Sequence, residues 1–208
     1  MPTRLSVVDA LAEANELDLL IQELLFTSDL PGDLRTIASH ACFDVAVGHF
    51  HAIYHLTSTR NDVDSSVRAL YRPLLETCYR SAWLSWIAPD AKIEALSADP
   101  LWAKWPQVGQ IAECLDGASN NLFFEVNAGD LLMAHDFTHC GRETIFRHFD
   151  ESRGIGPSRN EPEMATLVIR AVMLVGVVAS MLLQKRGLTG AAQRIDAVAT
   201  RRLTEADT

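Results

Sequence analysis

Three groups of side chains in this chain have types and spacings suited to chemistry. Arg72, Glu76 and Arg80 recur every four residues within SSVRALYRPLLETCYRSAWLSWIA. On a helix each falls about 40° from the next, on one stripe that Trp83 continues. Two guanidiniums around one carboxylate leave an excess positive charge suited to a phosphate or carboxylate, with Glu76 fixing their rotamers. The same spacing also suits a buried ion network that pins helix register. Either way the charges must be paired, because an uncompensated buried charge costs several kcal/mol.

The second group is His135, Thr138, His139 and Arg142, in HDFTHCGR. At helical spacing His135 and His139 share a face, with Arg142 between them and Thr138 at its border. Two imidazoles four apart can hold one metal, but the zinc-protease signature carries Glu after the first His, and Asp136 stands there. A hydrogen-bonded cluster facing the Arg–Glu stripe is the expectation. The third group, His40, Asp44, His51 and His55, shares one sector with Val47, among the apolar residues Ile37, Ala41, Phe43, Val45 and Ile53. It reads as a polar seam. Joined to the second group it offers an alternative two-helix metal site of His51, His55, His135 and His139, completed by Asp44 or Glu76. Bundle metal sites use Glu-x-x-His pairs, which are absent, so no metal and no cofactor is assigned.

The elements that must carry these residues all read as helices. Ser6 and Asp9 form a capping box ahead of a face made by Val7, Val8, Leu11, Leu17, Leu20, Ile21, Leu24 and Leu25. SDLPGD stops that helix, and Asp33 caps a second one reaching about Leu56. The central helix spans residues 65–88, apolar on nearly every side, and Pro73 is expected to kink it or mark its true first turn. Prolines break up residues 89–107 into a short helix and a packed loop with Trp102 and Trp105, and a modest helix follows over 107–116. Asp130 caps a helix ending near Phe149, and ESRGIGPSRNEPE is a loop. An apolar helix over about 162–185, stopped by Gly187, precedes a polar one from Thr189 to about Arg202. The fold class is therefore all-α, a single-domain helical bundle of about six to seven helices over 1–208, with 1–30 and 188–208 peripheral.

The net charge of −9 argues against a broad nucleic-acid surface. Four cysteines without a C-x-x-C pair suit reduced thiols, and the N-terminus lacks an apolar signal core, so the cytoplasm is the expected location. Within 164–183 Arg170 leaves an uninterrupted apolar run of about 13 residues, short of the roughly 20 a membrane span needs. That stretch reads as core, or as the face of a homodimer, rather than as a membrane element.

His51, RPLLETCYRSAWL at 72–84 and HDFTHCG at 135–141, in that order, resemble a family of all-helical bacterial proteins of about this length. The resemblance covers roughly 45–145 and implies that the three motifs converge, but it brings no activity. Separately, Arg142 and His148 match the R-x(4–6)-H pattern of the HEPN helical ribonucleases. That resemblance implies a metal-independent ribonuclease of the toxin or defence kind, with Arg142 and His148 as catalytic residues across a dimer interface. The favoured expectation is a pocket for a small anionic ligand lined by His51, Arg72, Glu76, Arg80, His135, Thr138 and His139.

Overall fold

The computed structural model describes residues 6–26, 32–59, 64–98, 105–119, 149–150, 154–155 and 160–201. Among them are seven helices: α1 (Val7–Leu25), α2 (Leu34–Thr59), α3 (Asp64–Trp86), α4 (Asp90–Ala98), α5 (Val108–Ser119), α6 (Glu161–Lys185) and α7 (Thr189–Ala199). The fold is all-α. Extended pairing among the described residues is confined to two-residue strands, β1 (Phe149–Asp150) and β2 (Gly154–Ile155), antiparallel with Phe149 opposite Ile155. Phe149, expected at a helix end, thus lies in β1, and the loop expected after it contains β2.

The helix ends follow from local chemistry. Ser6 Oγ accepts from the Asp9 amide at 3.1 Å and donates to its carboxylate at 2.7 Å. Asp33 accepts from both the amide and the hydroxyl of Thr36 at the start of α2. Asn160 and Glu163 exchange bonds around the first turn of α6, where Pro162 occupies a position that needs no donor. At its other end Gly187 takes φ +75°, its amide reaches the Gln184 carbonyl and that of Leu188 reaches Leu183, a Schellman stop that a side chain at 187 would strain. Pro73 does not divide α3, which is continuous from Asp64 to Trp86.

Helix α3 is packed between α2, α5 and α6, with Leu74, Leu75, Cys78, Tyr79, Ala82 and Leu84 fully buried. Ser81 donates to the Ser39 carbonyl at 2.9 Å, tying the end of α3 to the start of α2. Arg35 closes the same end: its guanidinium donates to the carbonyls of Leu84 (2.7 Å) and Ala88 (2.6 Å) and pairs with Asp90 at 2.6 Å. It thereby satisfies carbonyls left open where a helix stops.

Helix α1 packs on α6 and α7 through Val7, Ala10, Ala14, Leu17, Ile21 and Leu25. Val8, expected on this face, is 76% exposed, because it falls on the opposite side of the helix from Leu17. Among the described residues α6 is the one helix long and apolar enough to cross a membrane, and 67% of its most apolar window is buried inside the fold. Leu167, Met173, Val177 and Met181 remain as its half-buried apolar residues. Gly176 lets α6 and α7 approach closely: a Cβ there would lie 2.4 Å from the Cβ of Ala199.

Candidate functional site

The stripe on α3 forms as its spacing predicts. Arg72 Nε donates to Glu76 Oε1 at 2.9 Å, and Arg80 Nη2 lies 3.5 Å from Glu76 Oε2. The three side chains are 27%, 22% and 30% exposed. They are therefore not sealed in the core. They line its edge, where water still reaches part of each side chain.

The surroundings of Arg80 come from two other elements. Its guanidinium lies over the Trp105 ring, 5.4 Å from the centroid, and Trp105 stands three residues ahead of α5. Its Nε is buried and has no hydrogen-bond partner among the described residues. On α2 the half-buried Cys42 senses the same cation: burial pushes its thiol up, and the nearby Arg80 charge draws it part of the way back. One turn ahead of Arg72, Arg68 extends the charged line and pairs with Glu163 of α6 at 2.8 Å, with its side chain only 8% exposed. The repeat of Arg at 68 and 72 with Glu at 76 is visible in the sequence, but Glu163 lies 95 residues beyond Arg68.

The seam expected on α2 is split between environments. His40 is buried, 5% exposed, whereas Asp44 and His55 face solvent. Burial lowers the His40 pKa, and the Arg186 charge lowers it further. The expectation of apolar surroundings is corrected too: Ile37, Ala41 and Val45 are exposed and form an outer stripe of α2. His51 Nε2 lies 2.5 Å from Asp18 Oδ1, which ties α2 to α1. At about 100° per residue, nine residues place His51 on the opposite side of α2 from Cys42, the side that meets Arg80. The structure thus brings Arg72, Glu76 and Arg80 together and sets His51 apart from them.

His135, Thr138, His139, Arg142 and His148 lie outside the described residues. Of the alternative metal ligands, His51 is engaged by Asp18 and His55 is exposed. Among the described residues no three His, Cys, Asp or Glu side chains come together as a metal would need. Reasoning from sequence missed Trp105 as a partner of Arg80, Arg35 as the closure of α3, and Arg186 beside His40. Each is a pairing between elements distant along the chain.

The model of a family described as a family of unknown function (DUF6988) matches residues 43–202. No curated protein and no solved structure matches the chain.

Proposed function

The chain belongs to that family of unknown function, and on this footing we propose that it is a helical protein that binds a small anionic ligand at the Arg72–Glu76–Arg80 edge of α3. One observation carries the reading. A single carboxylate is shared by two arginines that are each about a quarter open to solvent, which gathers two guanidiniums side by side at a reachable place. Bidentate guanidinium donors match the oxygens of phosphate and carboxylate groups. Glu76 holds Arg72 at 2.9 Å and draws Arg80 to within 3.5 Å before the ligand arrives, which lowers the ordering cost of binding. In this proposal His135, Thr138 and His139 add hydrogen bonds, while His51 is left out because its ring serves Asp18. The protein would work in the cytoplasm, in keeping with the free thiols of Cys42, Cys78 and Cys114.

Thermal unfolding in rising inorganic phosphate, with chloride holding ionic strength constant, tests the reading. A ligand at 100 times its Kd stabilises the folded state by about 2.7 kcal/mol. The wild type should gain stability with phosphate, and the doubly substituted Arg72→Gln/Arg80→Gln protein should not. Equal stabilisation of both proteins would refute a site on α3.

A further inference from the structure

We infer that Arg80 is the arginine that meets the anion and that Trp105 is its positioning residue, so that the site takes one compact oxyanion group and not an extended polyanion. The inference rests on the anion-binding reading and assigns unequal roles within it.

The two arginines are held differently. Arg72 makes the short bond to Glu76, 2.9 Å from Nε, and so fixes the carboxylate. Arg80 reaches the other oxygen at only 3.5 Å, the long end of hydrogen bonding, so that contact alone cannot orient its guanidinium. Trp105 supplies what the carboxylate does not. A cation over an indole face is attracted by about 0.5–1 kcal/mol at exposed sites, more where water is excluded. The ring thus gives the guanidinium a second contact, which favours its place over the indole.

The same packing decides which nitrogens remain available. Nε of Arg80 is buried without a partner among the described residues, so it cannot meet a ligand from solvent. The 30% of the side chain that stays exposed therefore lies elsewhere on it, leaving the terminal nitrogens as the donors within reach. One end of one guanidinium presents few donors, which suits a single phosphate or carboxylate group. The net charge of −9 would oppose a long polyanion, whereas one group can be met locally.

The test is titration with inorganic phosphate, and in parallel with acetate, at constant ionic strength, read by calorimetry and by tryptophan emission. The two anions separate a phosphate site from a carboxylate site. Emission of the wild type minus that of Trp105→Phe should change on binding, because the anion alters the cation lying on the Trp105 ring. Trp105→Leu should weaken binding about two- to fivefold and Trp105→Phe should retain most of it. Arg80→Gln should cost more affinity than Arg72→Gln. If neither anion binds the wild type, the proposed function itself fails. If an anion binds but Trp105→Leu matches the wild type, or Arg72→Gln is the more damaging change, the roles assigned here are overturned and the site stands. Should Trp105→Leu not fold, an unchanged difference emission on binding overturns the role of Trp105. A single-stranded oligonucleotide that binds more tightly than phosphate at the same ionic strength overturns the ligand class.

Discussion

Glu76 is the residue on which the proposed α3 site turns, and its worth to stability separates two accounts of it. An ion pair open to water contributes little, roughly 0–1 kcal/mol, whereas breaking a buried one costs about 3–5 kcal/mol. Glu76 and its two arginines are each about a quarter exposed. Glu76→Gln is therefore expected to lower unfolding free energy by at most about 1 kcal/mol in urea titrations. A loss three times larger would make the stripe a device for holding the fold together. His40 and His49 give a second prediction. Burial lowers the pKa of both, and Arg186 adds to the effect at His40. The folded protein therefore binds fewer protons than the unfolded chain, whose histidines titrate near 6.5. Stability is accordingly present above that value and is lost as pH falls from it. Unfolding midpoints should drop between pH 7.5 and 5.5, and His40→Gln should flatten the slope. An unaltered slope in that variant would remove His40 from the explanation.

At the scale of elements, the helices were legible because their limits are written locally. Ser6, Asp33 and Gly187 act on neighbours within a few residues, so spacing alone located the ends they cap. The Arg–Glu–Arg stripe was legible for the same reason, since four-residue spacing on one helix needs no other element. The faces were less so. Val8 and Val45 have the composition of core residues and lie in solvent, because exposure depends on where the next helix is. The contact between α6 and α7 yields a prediction of this kind. Gly176→Ala places a methyl group 2.4 Å from the Ala199 Cβ, so one helix must shift. Overpacking of this sort costs about 1–3 kcal/mol. Ala199→Gly should recover most of that loss in the double variant, while simple loss of helix propensity would leave the two changes additive.

For the whole molecule, the arrangement of α1 has the largest consequence. It lies ahead of the 43–202 region matched by the family, yet it covers α6 and meets α7. Its fully buried Ala10, Ala14, Leu17 and Ile21 would leave a long apolar surface behind if α1 were absent. The exposed pairs Glu23–Arg194 and Glu16–Arg201 dress this contact and set its register, while burial of the apolar face supplies the stability. A chain lacking residues 1–26 should aggregate or lose cooperative unfolding, as followed by light scattering and circular dichroism. A monomeric truncated chain with an unchanged melting temperature would contradict this account of α1.

The amino-acid order by itself determined that the chain is helical, where α1, α2 and α6 are capped or stopped, and that Arg72 and Arg80 share Glu76. Those outcomes depend on interactions within one or two turns of backbone. Only the tertiary structure decided that Arg80 rests on Trp105, that His51 serves Asp18 of α1, that Arg35 closes α3, and that most of α6 is enclosed by its neighbours. These pairings join residues from 25 to more than 100 positions apart. Their free energy comes from how helices dock, which no local spacing specifies.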